Sequence, residues 1–247
     1  MPRRGTEGSF RLAAGALVAE RELIGIEKRH FTVARFMRLA RELGMPEAYL
    51  GIMEEEHAQA TFFYFGYEES VSGDVLKLYI EYPYDTSPLS PAEADGPDAS
   101  RRTLAGLGYK WDATRGNPIA LTHYFWYVHL APARILERMR ELQGGAAAPA
   151  FEVVREAVAA TSQSVEVVYV EAMEPGNRRK SFDVNVYAAH RPVSSIAPGL
   201  TRLAATYGVD PAPFAALLER VGDKQLAHFS GGIHRDGGDY LTTYYVI

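Results

Sequence analysis

The 247-residue sequence contains no cysteine, which removes disulfides, thiolate metal sites and cysteine nucleophiles together. Positive charge is scarce too: 26 lysines and arginines stand against 31 acidic residues, a formal net charge of -5, and only five of those cations are lysine. That balance offers no general attraction to nucleic acid or anionic lipid, and no basic block reverses it locally. No apolar run approaches the roughly 20 residues of a membrane span. The first apolar segment, Leu12 to Val18, is broken by Gly15 and runs into Glu20, Arg21 and Glu22, unlike a secretory signal. A cytoplasmic protein without a membrane span is expected. A Gly-rich phosphate loop and a Gly-x-Ser-x-Gly elbow are absent as well, so nucleotide-binding and hydrolase readings gain nothing.

An apolar fraction of 47% is enough for a full core in one domain over residues 1–247. Residues 13–57 have apolar positions at helical spacing (Leu23, Ile26, Phe31, Val33, Phe36, Leu39) and a break at Gly44-Met45-Pro46, which predicts a helical lead-in of two helices or more. Beyond it the pattern changes to period two. Val75 to Tyr82 reads as a strand with Leu76, Leu78, Ile80 and Tyr82 on one face and Lys77, Tyr79 and Glu81 on the other. Further hairpins are predicted at residues 107–129, 165–188 and 226–247, with helical pairs before the last two and a Pro/Ser/Asp-rich loop at 83–100.

These pieces form a unit of two helices and a hairpin, four times over, with a period of about 60 residues. The fold class is therefore α+β: an antiparallel sheet or barrel with helices on the outside, a barrel being the solution that leaves no exposed edge.

Most of the 15 tyrosines fall on predicted strands. Tyrosine favours strands on its own account. That preference does not explain the polar groups beside the tyrosines on the face away from the leucines: Lys77 and Glu81, then Asp183, Asn185 and Tyr187, then Thr242 with Tyr244. A cavity ringed by phenols and a few charges needs such a pattern. If Lys77 and Lys110 point inward they require an anionic partner, from Glu81, Glu171 or Asp183, or from a ligand.

Two Glu-x-x-His spacings, Glu27 with His30 and Glu54 with His57, put both side chains on one helix face, as in di-iron bundles, but the chain turns to strand straight after His57. His123 and His129, like His228 and His234, lie six residues apart, about 20 Å along a strand, too far for one pair to chelate an ion. No metal site and no cofactor is assigned.

Repeated helix and hairpin units with Lys77-Leu78-Tyr79 on one strand, Asp183-Val184-Asn185-Val186-Tyr187 in the equivalent place and Thr242 with Tyr244 closing the series resemble the aromatic prenyltransferases of the ABBA barrel type. That family has five repeats where four are visible here, and more inward cations. The resemblance implies transfer of a prenyl group from an isoprenyl diphosphate to a small aromatic acceptor. It implies that Lys77, Lys110 and Arg235 hold the diphosphate, that Tyr79, Tyr187 and Tyr244 shield the allyl cation, and that Glu81 or Asp183 takes the acceptor proton, with Asn185 and Thr242 among the substrate contacts. No Asp-Asp-x-x-Asp stretch is present, so metal dependence is not implied. Two other readings stay open: a non-catalytic carrier of a large apolar ligand such as an isoprenoid or tetrapyrrole, and an open sheet whose polar face meets a partner.

Overall fold

A computed structural model describes residues 5–68, 74–143, 148–162, 165–177, 180–233 and 237–247. Ten strands form one closed antiparallel barrel in the order β1-β10-β9-β8-β7-β6-β5-β4-β3-β2. They are five successive hairpins: β1 (Gly5–Ala13) with β2 (Ala16–Glu27), β3 (Phe62–Glu68) with β4 (Val75–Glu81), β5 (Arg101–Asp112) with β6 (Pro118–Val128), β7 (Val168–Met173) with β8 (Lys180–Asn185), and β9 (Leu226–Ile233) with β10 (Asp239–Val246). The helices are α1 (Val33–Glu42), α2 (Glu47–Glu56), the single turn α3 (Pro91–Ala94), α4 (Pro132–Leu142), α5 (Pro149–Thr161), α6 (Ala197–Thr206) and α7 (Pro211–Val221). Closure between β1 and β10 replaces the open-sheet alternative, and the helices lie outside.

The first hairpin corrects the helical lead-in. Residues 5–27 are strands, and helix begins only at Val33. The segment is rich in Ala, Leu, Glu and Arg, good helix formers, and Leu23 and Ile26 satisfy a helical spacing as well as a strand. A register shift puts an extra residue on β2 between Val18 and Arg21, opposite Ser9 to Arg11 of β1, and interrupts the alternation of β2, and Gly15, at φ 68°, makes the turn. The fifth repeat therefore stands at the start of the chain. Between the second and third hairpins the helical pair is reduced to α3, whose Ser90 and Glu93 form a capping box.

Strand alternation divides the apolar side chains from the polar ones. Leu78 and Ile80 on β4, and Tyr82 just after it, are buried against Phe36, Met37, Leu50 and Met53 of α1 and α2. Phe36 lies 4.0 Å from Phe63 between ring centroids and both are fully buried, each worth about 1.5–3 kcal/mol of burial. A larger core joins α4 to α7 with the outer faces of β1 and β7 to β10, through Phe10, Phe151, Phe182, Leu200, Phe214 and Phe229. What points the other way on each strand lines the lumen.

Candidate active site in the barrel lumen

Register fixes the lumen. Lys77 pairs with Gly66 on one side and Lys110 on the other, Tyr79 with Tyr64 and Gly108, and Glu81 with Phe62 and Gly106. Directly paired residues share a face, so the Lys77, Tyr79, Glu81 face is the inner one. Gly108 makes room: a Cβ there would stand 2.8 Å from the Tyr79 ring and 3.0 Å from that of Tyr124. These two rings pack edge to face at 5.9 Å. The cavity has a volume of about 220 Å³.

One part of the lumen is cationic. Arg21 is 7% exposed and donates to Glu68 at 2.9 Å, Lys77 is 8% exposed and donates to the same carboxylate oxygen, and Arg11 stands 3.6 Å from the other. Arg11 and Arg21 also donate to the Thr242 hydroxyl, at 3.2 and 3.5 Å, and Arg11 lies over the Tyr240 ring. Three cations thus share one carboxylate. Burial alone would raise the Glu68 pKa, but Lys77, Arg21 and Arg11 hold it well below the usual carboxylate range. Burial and then Arg21 lower Lys77 to about 7 despite Glu68.

A second group of lumen residues is acidic. Glu81 accepts from the Tyr64 hydroxyl at 3.0 Å, and burial raises its pKa to about 7, with Glu7 adding to the rise and the Tyr64 hydrogen bond opposing it. His228 faces Asp183 through Nδ1 at 2.7 Å and Glu7 through Nε2 at 3.2 Å, and stacks on Tyr244 with centroids 3.8 Å apart and planes 10° from parallel. Burial lowers the histidine's pKa, yet Asp183 and Glu7 together hold it well above the ordinary value. Tyr79, Tyr124 and Tyr244 line the cavity with Ala105 and Val170, and Tyr84 packs edge to face on Trp126 at 4.5 Å.

Of the residues singled out from the sequence, Lys77, Tyr79, Glu81, Asp183, Asn185 and Tyr244 line this one cavity. Lys110 sits beside Lys77 in register, and Thr242 pairs with Arg11 and with the cavity-lining Ser230, its hydroxyl accepting from Arg11 and Arg21. Tyr187 is corrected: β8 ends at Asn185, and Tyr187 starts a 3-10 turn outside the barrel, 42% exposed. Asn185 accepts from the Tyr187 backbone N–H at 2.9 Å, which bends the chain away. Arg235 lies outside the described residues. Sequence reasoning missed Glu7, Arg11, Arg21 and Glu68: Arg21 lies inside the stretch 13–57 read as helix, and Glu7 and Arg11 lie before it, where no strand was read; the alternation of Glu7, Ser9 and Arg11 against Phe10 and Leu12 was the available signal. His228 was weighed from the sequence for a metal site, and none was assigned. Its partners are carboxylates, and among the described residues no three of His, Asp and Glu gather as an ion site.

No family model matches the chain, and no curated protein matches it in sequence. Solved structures do. AnaPT from Neosartorya fischeri superposes with a TM-score of 0.57 at 12% identity, covering 98% of this chain and 77% of that one. The prenyltransferase NotF, in complex with brevianamide F and DMSPP, gives 0.56 at 12%, covering 98% and 79%. A 6-dimethylallyl tryptophan synthase gives 0.57 at 13%, covering 98% and 81%. The chain has the ten-stranded barrel fold of the ABBA-type aromatic prenyltransferases.

Proposed function

We propose that the protein transfers a prenyl group from an isoprenyl diphosphate to a small aromatic acceptor within the barrel. The observation that carries this reading is one aromatic-lined cavity whose wall holds both the cations Arg21 and Lys77 and the carboxylates Glu81 and Asp183, with Lys77 and Glu81 four residues apart on β4. Arg11, Arg21 and Lys77 outnumber the carboxylate they share, so positive charge is left over for an anion of high charge. A solved neighbour with the same fold holds two small molecules, brevianamide F and DMSPP.

In the proposed reaction the allylic C–O bond breaks and its electron pair leaves with the diphosphate, whose growing charge is met by Arg21 and Lys77, with Lys110 and Arg11 adjoining. Tyr79, Tyr124 and Tyr244 present ring faces to the allyl cation and exclude water. The acceptor's aromatic carbon forms the new C–C bond, and its ring proton passes to a carboxylate, Glu81 or Asp183. Neither aromatic shielding nor proton removal requires a cofactor. A cavity of about 220 Å³ is smaller than the roughly 300–1,000 Å³ of typical ligand sites, which favours a short prenyl chain over the bulk of a tetrapyrrole and weakens the carrier reading.

The test is incubation with dimethylallyl diphosphate and a panel of indoles and phenols, read by mass spectrometry for a singly prenylated product. The expected result is product from the wild type and at least about a hundredfold less from Lys77→Ala or Arg21→Ala, some 2.7 kcal/mol of transition-state stabilisation. No product, together with no calorimetric binding of a non-hydrolysable prenyl diphosphate, would remove the reading.

A further inference from the structure

His228 is bonded in a way that a neutral imidazole cannot satisfy. A neutral ring carries one N–H and one lone pair, yet both ring nitrogens face carboxylate oxygens, Asp183 at 2.7 Å and Glu7 at 3.2 Å. With both carboxyls ionised, one of the two contacts would set lone pair against lone pair; burial raises the Glu7 pKa, but His228 beside it holds it below its ordinary value. Only the doubly protonated ring donates at both ends, and the ring is then a buried cation bridging β8 and β1 from its place on β9. Its face is also engaged, by Tyr244 of β10 at 3.8 Å.

We propose that His228 is a positioning residue, an imidazolium fixed between Asp183 and Glu7 that holds both carboxylates in place and reserves Glu81 to receive the proton lost by the acceptor. The identity of that proton rests on the prenyl-transfer reading; the clamp itself does not.

The argument for Glu81 is one of partners. Asp183 and Glu7 are tied to a cation, whereas Glu81 is bonded to the phenol of Tyr64 and lines the cavity. The charged and titratable groups around His228 are Glu7 on β1, Asp183 on β8 and Tyr244 on β10. Arg21 on β2 also acts on Tyr244, and Glu81 on β4 lines the same cavity. Removing the imidazolium leaves the negative charges of Glu7 and Asp183 facing Glu81 without compensation. Because the stacked cation also covers one face of Tyr244, an allyl cation meets the ring's remaining surface, and Tyr79 and Tyr124 carry the larger share of the shielding.

The experiment is nitrogen-15 NMR of the full-length protein labelled at histidine, with His228 assigned by loss of its signals in His228→Gln, followed from pH 6 to pH 8.5. The expected result is two protonated ring nitrogens across the range; a neutral tautomer at pH 7.5 would overturn the clamp. Carbon-13 titration of the Glu81 carboxyl in the same two proteins supplies the second readout, and it needs no turnover. Its midpoint is expected to move up by about one pH unit in His228→Gln; an unmoved midpoint would overturn the assignment. In kinetics the variant is expected to lose kcat with the donor KM retained, and to recover part of it as pH rises. A wild type that forms no prenylated product would remove the proposed reaction while the NMR result still decides the clamp.

Discussion

Arg21 on β2 donates to Glu68 on β3 at 2.9 Å, and Lys77 on β4 donates to the same carboxylate oxygen, so one acidic side chain ties three consecutive strands of the lumen together. Breaking such a pair from one side leaves buried cations uncompensated, at about 3–5 kcal/mol. Glu68→Gln is expected to lower the melting temperature accordingly. Added pyrophosphate is expected to restore more of it than in the wild type, since the anion takes the place of the missing carboxylate. Thermal melts with and without pyrophosphate check both parts, and equal stabilisation of the two proteins would contradict a diphosphate site at this cluster.

Lys77 provides a pH signature. Burial and Arg21 bring its pKa to about 7, so at pH 8 much of it is neutral, and a bound diphosphate pulls it back to the charged form. Binding at pH 8 is therefore expected to take up protons, and donor affinity is expected to fall as pH rises through 7 toward 8. Calorimetry in two buffers of different ionisation heat measures the uptake directly. Lys77→Arg, charged at every relevant pH, is expected to abolish it.

Two neighbouring glycines on β5 separate function from folding. At Gly108 an added Cβ meets the Tyr79 and Tyr124 rings, which can yield only into the cavity; at Gly106 it stands 2.2 Å from the carbonyl oxygen of Ile80, which is backbone and cannot swing aside. Gly106→Ala is expected to cost about 1–3 kcal/mol in urea melts. Gly108→Ala is expected to fold but to bind a geranyl diphosphate analogue about tenfold more weakly, roughly 1.4 kcal/mol, with a smaller loss for the dimethylallyl analogue.

His57 offers a stability test remote from the cavity. It is 2% exposed, its ring stacks on Phe63 with centroids 5.0 Å apart, and neither ring nitrogen has a hydrogen-bond partner among the described residues. Burial, with a smaller contribution from Lys28, lowers its pKa below 6.5. The unfolded chain therefore takes up this proton first as pH falls, and stability declines below about pH 6.5. His57→Phe is expected to flatten that part of the pH dependence, measured as urea midpoints at pH 5.5 and 7.5.

The alternation of Val75 to Tyr82 was legible because it is local. Leu78 and Ile80 needed a core and Lys77, Tyr79 and Glu81 needed something else, and period two fixed which residues share a face whatever the partner strands. The same held for Asp183 with Asn185 and for Thr242 with Tyr244. The first hairpin was not legible, since its composition suits a helix and its strand pairing with β10 joins residues more than two hundred positions apart, as between Arg11 and Thr242. Once that pairing closes the barrel, Glu7, Arg11 and Arg21 enter the lumen, and with them the cationic cluster and the second partner of His228. The sequence by itself determined which side chains could not face a hydrocarbon core; tertiary structure alone decided which charges meet, because charge pairing depends on proximity across strands and not on order along the chain.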